Sequence, residues 1–199
     1  MSVQLLPGHG RYSNSYIING MLIDAGATPI EIEPYKDLIK YIIITHRHFD
    51  HLMYLAKAVH MTGAEVLIHE EDALSLTDEN ICLSGSFGER APGIHPTRFL
   101  QEGDIINDLE VIYTPGHTIG GICLYDAASK SLISGDTVFS GGEYGRYDLP
   151  TGDRSALTAS IEKLQGFSVD KIYCGHGLPA LGNGDMIIKR AYHNITMGF

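Results

Sequence analysis

The sequence predicts an α/β domain, and two observations carry that expectation. Short β-branched apolar runs alternate with segments of helical period along the whole chain. Neither a linker-like shift in composition nor an internal repeat interrupts this alternation over 199 residues, the length of one domain, so a single domain over 1–199 is expected. Hydrophobic residues at 44% and charged residues at 19% supply enough apolar surface for a sizeable core without making the chain a membrane protein.

The elements follow in order. "SYIING" and "MLIDAG" meet at Asn19-Gly20, a pair that favours a two-residue hairpin turn. The run "YIIIT" at 41–45 reads as a buried strand. After it, Leu52, Leu55, Ala56 and Val59 recur at helical spacing and Gly63 provides a stop, so a helix is expected over 51–61. Further strands are expected at 65–69, 109–113, 119–125, 131–134 and 171–174. Leu157, Ile161 and Leu164 between Asp153 and Gly166 mark a capped helix, and a last helix is expected from Asp185. Residues 78–97 have no period and many Gly, Ser and Pro; a loop that long is expected to be functional. We read 81–95 as part of a substrate entrance, with Phe87 and Ile94 as apolar contacts.

The strand at 41–45 runs directly into "THRHFDHL", which places His46, His48, Asp50 and His51 on one strand-to-helix turn. Side chains two apart on extended backbone share a face, so His46 and His48 converge on one point while Asp50 and His51 leave the turn toward another. That pattern suits two adjacent metals. Three later turns each offer one more donor after a β-rich run: His117 in "TPGHT", Asp136 in "SGDT" and His176 in "CGHG". A glycine precedes each, which allows tight turning and close approach. Imidazoles and carboxylates form a nitrogen and oxygen set appropriate to zinc first, with iron and manganese as alternatives. Two divalent transition metals are the expected cofactors.

Composition limits the partners. A net charge of −10 opposes nucleic-acid binding, and no apolar window has the length of a membrane span. The opening "MSVQLLPGHG" lacks a secretory pattern, so a cytoplasmic location is expected. The three cysteines, Cys82, Cys123 and Cys174, are odd in number and widely spaced, which suggests buried thiols rather than disulfides or a thiolate site. His9, His60, His69, His95 and His193 fall outside the ligand pattern and read as surface or structural residues. Arg146 and Tyr144 follow Asp136 closely enough to contact substrate; Arg146 is a cation suited to a substrate carboxylate, and its alternative is a surface pair with Asp148. A small molecule is the expected partner, with a homodimer left open.

The ordered motif H-x-H-x-D-H, His, Asp, His, running from 46 to 176, resembles the metallo-β-lactamase superfamily. The resemblance implies an αββα sandwich of two mixed sheets flanked by helices. It also implies that His46, His48 and His117 hold one metal, that Asp50, His51 and His176 hold the other, and that Asp136 bridges them. "TPGHTIGGICLY", "SGDTVFSGGEYGR" and "YCGHG" are similar to glyoxalase II, the hydroxyacylglutathione hydrolases, whose C-terminal helical glutathione-binding extension is not expected here. "GRYDLPTGD" looks like the short, single-domain members of that group. The implied activity is hydrolysis of a thioester or ester by metal-bridged hydroxide, with Asp50, His51 and Asp136 as the catalytic residues. A thioester suits the site because a thiolate leaves with little help from an acid. The alternative from the same superfamily is a persulfide dioxygenase with one iron on His46, His117 and Asp136, and a metal-dependent nuclease ranks below both.

Overall fold

The computed structural model describes residues 3–198. They form two compact units, one ending at Leu100 and the other beginning at Gln101. Each is built on one mixed sheet that carries helices, an α/β arrangement.

The first unit contains β1 (Val3–Leu6), β2 (Ser15–Ile18), β3 (Met21–Ile23), β4 (Tyr41–Ile43), β5 (Glu65–His69) and β6 (Arg98–Leu100), hydrogen-bonded in that order. β1 to β3 are antiparallel, and β3 to β6 run parallel. The Asn19-Gly20 hairpin forms as expected: Ile18 faces Met21, and both turn residues have positive φ, at 46° and 75°. That is the turn whose twist matches antiparallel strands. Three helices follow, α1 (Pro29–Ile32), α2 (Phe49–Leu52) and α3 (Leu55–Thr62). Ile32, Phe49, Leu52, Leu55 and Ala58 pack with Leu22, Ile42, Ile44, Val66 and Ile68 in one core. The residues that alternate with these on the strands, Ile18, Met21, Ile23, Ile43 and Leu67, are also buried, which explains why the strands read as continuous apolar runs.

The second unit holds β7 (Ile105–Ile106), β8 (Leu109–Tyr113), β9 (Ile122–Asp126), β10 (Ser131–Gly135) and β11 (Lys171–Cys174), antiparallel from β7 to β10 and parallel between β10 and β11. Helices α4 (Arg154–Leu164) and α5 (Gly184–Met197) cover one face. Leu157, Ile161 and Leu164 of α4 join Ile188, Ala191 and Ile195 of α5 over Ile112, Cys123, Leu132 and Ile172. Asp153 caps α4, its carboxylate accepting from Ala156 N at 2.8 Å.

Several expected bounds change for physical reasons. The helix expected over 51–61 starts earlier and is broken at Met53–Tyr54, because the His51 carbonyl accepts from Ala25 N at 2.8 Å and Tyr54 N donates to Ala25 O at 2.9 Å. Gly63 does end it, with φ 65° and its N–H on Val59 O. The strand expected from 119 begins at Ile122, since 114–121 fold back on themselves through Thr114 N to Gly121 O at 2.8 Å. The strand at 41–45 ends at Ile43, and Thr45 turns to other partners. β1, β6 and β7, all short edge or near-edge strands, add to the elements expected from the sequence. No helix among the described residues is long and apolar enough to cross a membrane.

Ile161 is fully buried at the centre of the second core. Ile161→Ala is expected to lower the unfolding free energy by about 2–5 kcal/mol, read from the urea midpoint at unchanged slope. A shift within error of the parent would show that this core does not support the unit.

Candidate metal centre

In the first unit the ligand turn leaves the C-terminal end of β4. His46 and His51 have ring centroids 4.0 Å apart, and His48 stands edge-on to His46 at 4.9 Å. All three are buried, while Asp50 is half-buried with a carboxylate oxygen 3.9 Å from His51 Nε2. Thus the four expected residues of this stretch do gather.

Their orientation comes from Asp24, at the end of β3. Its Oδ1 accepts from Thr45 N at 2.8 Å, and its Oδ2 accepts from Thr45 Oγ1 at 2.8 Å and from His51 Nδ1 at 2.7 Å. Because the Thr45 hydroxyl gives its one proton to Asp24, the 3.1 Å contact between Thr45 Oγ1 and His46 Nδ1 has the ring as donor. Both rings therefore carry their proton on Nδ1 and turn the Nε2 lone pair away from Asp24. A carboxylate behind an imidazole is how metal-binding histidines are usually held. Arg47 faces the other way: its N–H donates to Asp72 Oδ2 at 3.1 Å and its Nε to Ile81 O at 3.0 Å, which ties the 78–88 loop to the ligand turn.

The second unit carries its own set. His117 follows Gly116 (φ 128°), Asp136 follows Gly135 (φ 47°), and His176 follows Gly175, whose N–H donates to Gly135 O at 2.8 Å. Nε2 of His117 lies 3.7 Å and Nε2 of His176 3.5 Å from the same oxygen, Asp136 Oδ2. Donors about 2.0–2.2 Å from a tetrahedral zinc stand about 3.3–3.6 Å from one another, so the spacing suits ligands that share a metal. His117 Nδ1 donates to the Arg146 carbonyl at 2.6 Å, which again directs Nε2 toward Asp136. Only glycine fits at 145 beside this contact, since a Cβ there would stand 2.1 Å from Asp136 O and 2.9 Å from His117 Cγ. Nitrogen and oxygen donors with fixed tautomers fit divalent metals.

The remaining expectations sort clearly. Tyr144 and Arg146 line a cleft of about 680 Å³ with Glu143, Tyr147, Asp148 and Asn194. Within it Arg146 forms a two-pronged pair with Asp148, both contacts 2.8 Å, and Arg146 beside it holds the Asp148 carboxyl down to about 2. Phe87 stacks on Phe49 with centroids 4.4 Å apart, and Phe49 N donates to Cys82 O at 2.9 Å, so the expected entrance loop does lie against the ligand turn. Ile94 packs instead on the first core. His9 pairs with Glu31 at 2.8 Å, His69 Nδ1 accepts from Glu71 N at 3.3 Å, and His60, His95 and His193 are exposed. All three cysteines are buried thiols; burial pushes Cys123 up to about 11 and raises Cys174. Asp24 and Thr45 escaped sequence reading. Their signal was an acid closing the apolar run "MLID" and a threonine closing "YIIIT".

The fold and these two candidate ligand sets define a metal-binding α/β class. The chain belongs to the metallo-β-lactamase superfamily, whose model matches residues 9–176. It is similar to a probable metallo-hydrolase of Methanocaldococcus jannaschii, 36% identical over 86% of this chain and 91% of that protein. A hydroxyacylglutathione hydrolase of Haemophilus influenzae is 31% identical over 89% and 91%. A human acyl-coenzyme A thioesterase is 35% identical over 67% of this chain and 54% of its own length. Among solved structures, one determined in a di-iron-bound form superposes with a TM-score of 0.76 at 31% identity, covering 84% of this chain and 89% of the other. The chain is a metallohydrolase of this superfamily.

Asp24→Asn would replace the acceptor of His51 Nδ1 with an amide. Affinity for divalent metal is expected to fall by about 10–100-fold. Competition against a chromophoric chelator checks it, and unchanged affinity with an intact fold would remove Asp24 from its positioning role.

Proposed function

We propose that this chain is a dinuclear metallohydrolase acting on a thioester of a small thiol. The observation that carries the reading is the fixed tautomer of His46, His51 and His117, whose Nδ1 protons are all committed to oxygen acceptors. By motif position, His46, His48 and His117 would hold one metal, Asp50, His51 and His176 would hold the other, and Asp136 would serve both. When bound, such metals would make hydroxide available near neutral pH, lowering a water's pKa to about 7, and would polarise a carbonyl oxygen. The chain's own residues supply the rest. Asp24 and the Arg146 carbonyl keep the imidazoles aimed, with Nε2 turned away from the acceptor, and the carboxylates of Asp50 and Asp136 would offset cationic charge. Tyr144 and Arg146 line the cleft assigned to the substrate.

Relatives acting on hydroxyacylglutathione and acyl-coenzyme A support a thioester. Zinc is the preferred metal; iron is the alternative, supported by the di-iron relative.

Purified protein is expected to hold close to two transition metals per chain and to lose thioester hydrolysis on chelation. His176→Ala is expected to release one metal and cut hydrolysis by about 10²-fold or more. Elemental analysis and a thiol-release assay check both. A parent that holds one iron, consumes oxygen with a persulfide and cleaves no thioester would replace this reading with the oxygenase.

A further inference from the structure

The ligand turn of the first unit supports a second construction. Phe87, 49% exposed, stacks on Phe49, the residue between His48 and Asp50, with planes 28° apart. Over the Phe87 ring lies the guanidinium of Arg11, its central carbon 5.0 Å from the centroid. Arg11 is exposed and pairs with no acid among the described residues, unlike Arg146 with Asp148 or Arg47 with Asp72. An exposed cation–π contact stabilises a fold only slightly and leaves the N–H donors available.

The loop that carries Arg11 is braced to the same turn. Ser13 N donates to Asp50 O at 3.1 Å, Gly8 N to Asn14 Oδ1 at 3.1 Å, and Tyr12 meets Tyr54 edge-on at 5.7 Å. Gly26 lets the chain pass so close that a Cβ would stand 2.2 Å from Ser13 O. On the other side Leu83, at φ 68°, starts the short turn Ser84–Phe87 that presents the ring. Strained backbone held by surrounding bonds is common where a side chain must be aimed. Two independent segments thus converge to hold one unpaired cation beside the metal-binding turn of a protein whose net charge is −10.

We propose that Arg11, seated on the Phe87–Phe49 stack, determines specificity by binding an oxyanion of the substrate, a carboxylate or phosphate group remote from the bond that is cleaved. This rests on the thioesterase reading and narrows it to anionic thioesters. Guanidinium forks match both oxyanions, and charge-assisted hydrogen bonds of this kind change affinity by about 10–100-fold.

Two inert pairs of probes identify the anion: S-methylglutathione with its diethyl ester for carboxylate, and S-methyl-coenzyme A with S-methylpantetheine for phosphate. Calorimetry on the metal-loaded protein is expected to show the anionic member of one pair binding at least about tenfold tighter than its neutral partner. R11Q should abolish that preference, R11K should restore part of it, and R98Q, on the exposed edge strand β6 outside the entrance loop, should leave it intact. In hydrolysis assays R11Q should raise KM for the matching anionic thioester and leave kcat, and the neutral thioester, within about twofold. A preference that persists in R11Q, that vanishes in R98Q, or that is absent from both pairs would overturn the proposal. Equal losses on anionic and neutral probes would reduce Arg11 to a structural role and overturn it too. Failure to cleave any thioester sinks the preceding reading alone, because the calorimetric preference is measured without turnover.

Discussion

The buried carboxylate of Asp24 is the interaction on which the first ligand set depends. Taking a carboxylate out of water is costly unless donors surround it, and here a backbone N–H, a hydroxyl and an imidazole N–H do so. The same three bonds stop β4 from continuing, fix the proton of His51, and through Thr45 fix that of His46. Chain direction and ligand chemistry are settled by one group. The break between α2 and α3 belongs to the same arrangement, for Ala25, next to Asp24, captures the His51 carbonyl that would otherwise continue the helix.

The second unit reaches the same chemical state by a different route. Behind His117 stands a main-chain carbonyl, and a glycine brings it close. The apolar layer of α4 and α5 over its sheet gives the turns at the strand ends a rigid base, so each of the two histidines holds a separation from Asp136 suited to sharing an ion with it.

What the sequence reveals is what short-range chemistry decides. The strands at 65–69, 109–113 and 171–174 have the bounds their apolar runs suggest, and Asn19-Gly20 makes its turn because those two residues tolerate positive φ. The seven ligand candidates were legible because they fall on four turns that each follow a β-rich run. The broken helix at Met53–Tyr54, the carboxylate behind His51 and the carbonyl behind His117 were not, since each is made by residues distant in the chain. β1, β6 and β7 have too few residues to show an alternation and exist because a neighbouring strand pairs with them. Arg146 is the instructive case: its side chain takes the surface pair with Asp148, and the service its position renders to His117 comes from a backbone atom that every amino acid has.

That last feature separates two kinds of inheritance. Because the carbonyl at 146 orients the ligand while the side chain at 146 faces a cleft, a mutation there can alter what the cleft accepts without disturbing how the imidazole is held. Position 145 lacks that freedom, since any side chain larger than hydrogen strikes the ring it borders. Adjacent codons are therefore under opposite pressures, one free to drift as substrates change and the other pinned, and a lineage could diversify its diet while keeping its chemistry.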